Sequence, residues 1–187
     1  MNSPQPAPEL VVLADEHGRP AGTAVKSEVH TADTPLHFAF SAYLLTHEGT
    51  TVLTRRALSK ITWPGVWTNS FCGHPLPAES TRDAVIRRAG FELGIAEEAI
   101  AEITEVLGDF RYRATDSSGI VEWEICPVYT VRLRPGATVT PNPEEVDSHF
   151  EITPARLMDA VDAAPGAFSP WLVEELADHR LRKALAE

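Results

Sequence analysis

The run Thr68-Asn69-Ser70-Phe71-Cys72-Gly73-His74-Pro75 sets a thiol two positions from an imidazole with only a glycine between. That places a group able to give or take a proton beside a potential metal ligand. A second pair lies around Val121, where a strand's period of two puts Glu122 and Glu124 on one face with Cys126 and turns Trp123 and Ile125 to the other. Two carboxylates on one strand face repel each other unless a cation, a shared proton or open water relieves them. His30 and His37 bracket Thr31-Ala32-Asp33-Thr34-Pro35-Leu36. Three histidines with two carboxylates make a mixed nitrogen and oxygen donor set, better suited to a five- or six-coordinate divalent ion than to tetrahedral structural zinc. Taken singly, each has a plainer reading as a solvated acid, a hydrogen-bonded histidine or a buried inert thiol. For Cys72 the surroundings decide: nearby cations or a metal favour the thiolate and an apolar cavity keeps the proton on sulfur.

Apolar runs and alternation predict strands over 10–14, 22–26, 36–46, 51–55, 103–113, 120–134 and 146–152, with a hairpin turn at His47-Glu48-Gly49. Ser80 with Asp83 three residues on starts a helix over 81–93, and Gly94 stops it. Ser169 before Pro170 starts another, running to about Ala186, and a third covers 154–163. Strands outnumber helices and are not regularly interleaved with them. This predicts an α+β fold in which a mixed sheet is sandwiched between helices, rather than a doubly wound parallel sheet.

With 187 residues, 43% of them apolar, the chain can bury one sizeable core, so a single domain over 9–187 is expected after a flexible tail at 1–8. The tail has no basic cluster and no apolar h-region, unlike a signal peptide, and no run reaches the roughly 18 apolar residues of a membrane span. A soluble cytoplasmic protein with Cys72 and Cys126 as reduced thiols is expected, and monomer and homodimer both remain open. A net charge of -11 argues against a nucleic-acid partner. Within 55–88 the sign reverses: Arg55, Arg56, Lys60, Arg82, Arg87 and Arg88 face only Glu79 and Asp83. A local excess of cations in an acidic chain suits a small anionic ligand.

Counted from Gly73, the residues Glu79, Arg87, Glu92, Gly94 and Ile95 keep the frame of a Nudix box, G-x5-E-x7-R-E-U-x-E-E-x-G-U with U bulky and apolar. Arg88 and Phe91 stand where two of its glutamates belong. From about residue 10 to 185 the chain resembles the type I isopentenyl-diphosphate delta-isomerases, which have a Nudix-like fold. The resemblance is carried by HTADTPLHFAFS (30–41), TRRALSK (54–60), WPGVWTNSFCGHP (63–75), AVIRR (84–88), FRYRATD (110–116), GIVEWE (119–124) and AFSPW (167–171).

That resemblance implies interconversion of isopentenyl and dimethylallyl diphosphate by moving a double bond through protonation and deprotonation. It assigns His30, His37, His74, Glu122 and Glu124 to a divalent metal, manganese or magnesium with zinc as a third option. It makes Cys72 and Glu122 the two proton carriers on opposite sides of the substrate, with Tyr112 assisting the carboxylate. Glu92 would help hold magnesium on the diphosphate, Lys26, Arg56, Lys60 and Arg88 would grip the phosphates, and Trp171 would face the carbocation. The sequence departs from the family pattern at Trp123, where relatives often have a polar residue, and at Phe71. Two other readings compete: a Nudix hydrolase, which would need the carboxylates that Arg88 and Phe91 replace, and a non-catalytic isoprenoid-diphosphate or metal-binding protein, which would not need Cys72 with Glu122 and Tyr112.

Overall fold

The computed structural model describes residues 8–187, so all but the last residue of the expected tail lies outside the described residues. Strands β1 (Leu10–Ala14) and β2 (Pro20–Val25) pair antiparallel, and a short helix α1 (Lys26–Val29) follows. Next come β3 (His37–Phe38), β4 (Phe40–Leu45), β5 (Thr51–Arg56), β6 (Trp67–Thr68) and β7 (Phe71–Gly73). After helix α2 (Thr81–Leu93) the chain adds β8 (Ile100–Leu107), β9 (Arg111–Thr115), β10 (Val121–Ile125), β11 (Val128–Leu133) and β12 (Val146–Ile152), then helices α3 (Pro154–Ala163), α4 (Pro170–Ala177) and α5 (His179–Ala186).

The strands divide between two mixed sheets, one ordered β2-β1-β3-β10-β9 and the other β12-β5-β4-β11-β8, with β6 on β5 and β7 on β4. Three strands expected to be continuous are broken, each where the chain passes between sheets. Over 36–46 the break is Ala39, whose N–H still bonds Ile125 O of β10 at 2.9 Å before Phe40 joins the other sheet. Over 103–113 it is the turn at Gly108-Asp109, and over 120–134 it is Cys126-Pro127, where proline has no N–H to offer a ladder. The expected hairpin turn forms at Thr46–Thr50, with Gly49 at φ 80°.

Alternation along β4 organises the packing. Phe40, Ala42 and Leu44 point to α2, where they meet Ala84, Val85, Ala89 and Leu93. Tyr43 and Leu45 point the other way, toward Leu157 and Val161 of α3, Trp171, Leu172 and Leu176 of α4, and Leu181 and Leu185 of α5. The seven-stranded sheet is thereby covered by helices on both faces. Helix α2 starts where the sequence predicts, with Ser80 Oγ accepting from Asp83 N at 3.1 Å, and ends at left-handed Gly94. A Cβ at Gly94 would meet Thr140 O at 2.8 Å. The helix expected from Pro170 to Ala186 is two helices. Asp178 leaves helical geometry at ψ 124° and its carboxylate caps α5 by accepting from Arg180 N at 2.8 Å.

Candidate active site

Register alone assembles the first part of the site. Glu124 of β10 lies beside His37 of parallel β3 and beside Tyr112 of antiparallel β9, so three side chains form a row across the five-stranded sheet. His30 follows α1, and the N–H of Val121 bonding Thr31 O at 2.8 Å ties that loop to β10. His74 arrives from the other sheet, one residue beyond β7. The three imidazole centroids stand 5.2 to 5.8 Å apart, and Glu124 Oε1 is 3.3 Å from Nε2 of both His37 and His74.

One donor atom from each of His30, His37, His74 and Glu124 falls within 4.8 Å of the others. Nε2 of His30, Nε2 of His37 and Nδ1 of His74 are buried without a hydrogen-bond partner, a costly arrangement unless something else binds them. His37 Nδ1 lies 2.9 Å from Pro35 O, which fixes the ring and turns Nε2 inward. Burial, and then His74, lowers the pKa of His30 to about 4, and burial also lowers that of His74. Both therefore favour the neutral form that ligates metal. Burial opposes charge on His37 too, but Glu124 outweighs it and raises its pKa. Glu124 is itself held well below the ordinary range by His37 and His74, against the pull of burial. This donor set fits a divalent cation of nitrogen and oxygen preference.

Glu122 stands outside that group of four, although the sequence resemblance includes it. Its Oε1 accepts from the Thr62 hydroxyl at 2.5 Å and its Oε2 from the Tyr112 hydroxyl at 2.7 Å, while Tyr112 also reaches Glu124 Oε2 at 3.0 Å. Burial, and then the charge on Glu124, raises the pKa of Glu122, which makes this carboxyl ready to hold a proton.

Cys72 comes from β7 and lines the same cavity of about 410 Å³. Its Sγ is 3.3 Å from Asn69 Nδ2, 3.4 Å from Asn69 Oδ1 and 3.9 Å from Ser41 Oγ. Burial, and then the nearby Glu175, pushes the thiol far above its ordinary pKa, so Cys72 is a thiol at rest. Gly73 is required beside it, because a Cβ there would lie 2.7 Å from Arg88 Cγ and about 3 Å from the Phe40 ring. Neither Cys72 nor Cys126 forms a disulfide.

Trp171 is fully buried, donates Nε1–H to Asn69 Oδ1 at 2.9 Å and lies 5.8 Å from the Tyr112 ring. Lys26, Arg56, Lys60 and Arg88 line the cavity as well, and each already holds a protein acceptor. Lys26 reaches Glu9 at 3.1 Å, Arg56 donates to Thr62 O and Oγ1, and Lys60 pairs with Glu145. Arg88 bonds Glu92 at 2.6 Å and Glu145 at 3.1 Å. Burial raises the pKa of Glu92 in spite of Arg88. Arg56 also sits 5.4 Å over the Trp171 ring.

Sequence reasoning passed over Thr62, Asn69, Glu145 and Glu175. Asn69 lies inside a quoted motif, Thr62 immediately precedes that motif, and Glu175 follows Trp171 by one helical turn, which is the signal that could have found them. Glu145 carries no local signal.

A match to the NUDIX domain family spans residues 35–172. An isopentenyl-diphosphate Delta-isomerase of Corynebacterium diphtheriae is 59% identical over 177 residues, covering 95% of this chain and 96% of that protein. The chain belongs to the isopentenyl-diphosphate Delta-isomerase family. Its relative of the same name in Agromyces mediolanus is 56% identical, with 91% of this chain and 80% of that protein covered. Among solved structures, DR0079 from Deinococcus radiodurans shares the fold at a TM-score of 0.69 and 21% identity, covering 90% of this chain and 98% of that one.

In this structure the residues of the box hold one another and the loop beside them. Glu79 and Arg87 pair at 2.7 Å; Glu79 also accepts from Leu76 N, and Arg87 donates to His74 O at 3.0 Å. The surviving frame clamps the loop that carries His74. At the altered positions Arg88 turns inward to carboxylates and half-exposed Phe91 packs under its guanidinium at 4.9 Å. Among the described residues no helix is long and apolar enough to cross a membrane.

Proposed function

We propose that this chain interconverts isopentenyl diphosphate and dimethylallyl diphosphate, residues 9–187 acting as one cytoplasmic domain. The observation that carries the reading is a thiol and a carboxyl, delivered by different sheets, lining one cavity with a buried indole and four cations. Protonating an unactivated alkene leaves a tertiary carbocation, so a donor must stand against one carbon and a base near another. Cys72, protonated by its surroundings, and Glu122, whose raised pKa lets it accept and hold a proton, meet that requirement. Thr62 and Tyr112 steady the carboxyl from both oxygens. The Trp171 ring offers a face to the cation, a contribution of roughly 0.5–2 kcal/mol when desolvated.

Lys26, Arg56, Lys60 and Arg88 would exchange their present partners for the diphosphate oxygens, closing the cavity to the water that would otherwise trap the cation as an alcohol. His30, His37, His74 and Glu124 would hold a divalent cation, with Glu122 as the further ligand, and Glu92 would help hold magnesium on the diphosphate. Manganese or magnesium suits the first set, and a bound cation there would supply positive charge that favours ionised carboxylates. A hydrolytic alternative lacks the carboxylate cluster on α2, where Arg88 and Phe91 stand.

The test is proton NMR of the enzyme with isopentenyl diphosphate and magnesium in deuterated water, following the allylic signals and free phosphate. Dimethylallyl diphosphate carrying deuterium, with no phosphate release, is the expected result. Phosphate release would install the hydrolase instead, and an unchanged substrate would leave a binding protein.

A further inference from the structure

Between the carboxylate wall of the cavity and the cations at its mouth lies one hydroxyl that is bonded to both. The loop after β5 leaves at Arg56 and returns to it: Gly65 N donates to Arg56 O and Arg56 N to Val66 O, both at 3.0 Å. Within this loop the Arg56 guanidinium donates to Thr62 O through Nε at 3.1 Å and Nη2 at 2.9 Å, and to Thr62 Oγ1 through Nη2 at 3.0 Å. The same Oγ1 stands 2.5 Å from Glu122 Oε1, on a strand of the other sheet.

The direction of these bonds is forced. A guanidinium has donors only, so the Thr62 hydroxyl accepts from Arg56 and its single proton goes to Glu122. The next residue, Trp63, is held at φ 43°, a left-handed conformation that a bulky side chain adopts only where its surroundings impose it. Its ring stands edge-on to Trp171 at 5.5 Å, and Thr62 is buried while its neighbour Ile61 is more than half exposed. Valine has the shape of threonine, so packing alone does not account for a hydroxyl buried between a guanidinium and a carboxyl.

We propose that Thr62 is a positioning residue that ties the aim of Glu122 to the grip of Arg56 on the diphosphate. The inference rests on the isomerase reading given above and adds to it a link between the two ends of the substrate. With no diphosphate bound, guanidinium, hydroxyl and carboxyl form one hydrogen-bonded chain across the cavity. When a diphosphate oxygen draws Nη2 away, Thr62 keeps its proton on Glu122 and is free to turn with it. The carboxyl then comes to bear on the hydrocarbon only once the diphosphate is held. Hydrogen bonds are exchanged in this step and no covalent bond changes. Part of the diphosphate binding energy thereby acts on kcat rather than on KM.

The experiment is a kinetic cycle on the metal-loaded enzyme with Thr62→Val, Thr62→Ser and Arg56→Lys, together with crystals of the wild type and Thr62→Val soaked in inorganic diphosphate. Thr62→Val should lower kcat roughly tenfold or more with KM within about threefold, and Thr62→Ser, which keeps the hydroxyl, should recover most of the loss. Arg56→Lys, whose ammonium cannot fork onto Thr62, should raise KM and lower kcat. Combined with Thr62→Val it should raise KM without lowering kcat further. In the wild-type crystal Arg56 Nη2 should leave Thr62 Oγ1 for a diphosphate oxygen, and in Thr62→Val the Glu122 carboxyl should be turned about its Tyr112 bond. Wild-type kcat in Thr62→Val, no recovery in Thr62→Ser, or kcat losses that multiply in the double variant would overturn the proposal. So would a Glu122 carboxyl that superimposes in the two crystals, a comparison that needs no turnover. If Thr62→Val fails to fold, Thr62→Ala takes its place in both arms. A wild type without isomerase activity would sink the isomerase reading, and the crystals would still decide whether Thr62 aims Glu122.

Discussion

The two walls of the cavity handle protons in opposite ways. Around Cys72 the groups are neutral: the Asn69 amide, the Ser41 and Tyr43 hydroxyls and a buried carboxyl whose pKa is raised. Around Glu122 charge is concentrated, with Glu124 ionised between two histidines and Arg56 nearby. Burial keeps the proton on sulfur although the Asn69 amide pulls the other way, and a wall of paired charges allows one carboxyl to accept a proton beside another that stays ionised. One cavity can in this way present a donor and an acceptor at the same pH.

The largest effects should come from removing either carrier. Cys72→Ala and Glu122→Gln should each lower kcat by a factor on the order of 10³ or more, with folding retained by circular dichroism. If one of them keeps near wild-type kcat, the two walls are not the donor and the acceptor. Chelation should act on the charged wall only. Activity should drop by at least roughly 100-fold and return with manganese or magnesium, while Cys72 alkylation by a thiol reagent stays measurable in the stripped protein.

The same contrast predicts opposite pH dependences of stability in the metal-free protein. Glu175 keeps its proton up to about pH 8, whereas in the unfolded chain that proton leaves near the ordinary carboxyl value of 4.5. Between those values the folded state binds more protons, so stability falls as pH rises, by something on the order of 3–5 kcal/mol. His30 runs the other way. Its pKa is lowered from 6.5 to about 4, so between those values the unfolded state binds more protons and stability falls as pH drops, by roughly 2–3 kcal/mol. Urea midpoints measured against pH should lose the first slope in Glu175→Leu and the second in His30→Gln. Loss of both slopes in either variant would mean that the walls are not independent.

How much of this was legible in the sequence follows from the range of each interaction. The alternation around Val121 put Glu122 and Glu124 on one face because period two is a local property, and Ser80 and Gly94 fixed the ends of α2 for the same reason. The breaks at Ala39, Gly108 and Cys126-Pro127 were not legible as sheet changes, since a break in alternation does not say which sheet the next strand joins. Nor was Glu145, which meets Lys60 and Arg88 only through the pairing of β12 with β5 and the packing of α2. Long-range polar partners of this kind leave no periodic trace, and the same holds for the bond from Tyr43 to Glu175.

The smallest effect is expected on the far side of the strand that carries the carboxylates. Trp123 alternates with Glu122 and Glu124, so its ring faces outward, 38% exposed, with the Arg113 guanidinium 5.9 Å from its centroid. Its closeness in sequence to both carboxylates makes it a sharp test of whether strand alternation separates chemistry from surface. Trp123→Ala removes an exposed ring and one weak cation–π contact, which costs about 1 kcal/mol or less. Its kcat and KM should equal those of the wild type, with a Tm lower by a few degrees at most. A large fall in kcat with the fold intact would mean that β10 transmits changes across its faces, and the two carboxylates would then owe their position to the outer surface as well as to Thr62 and Tyr112.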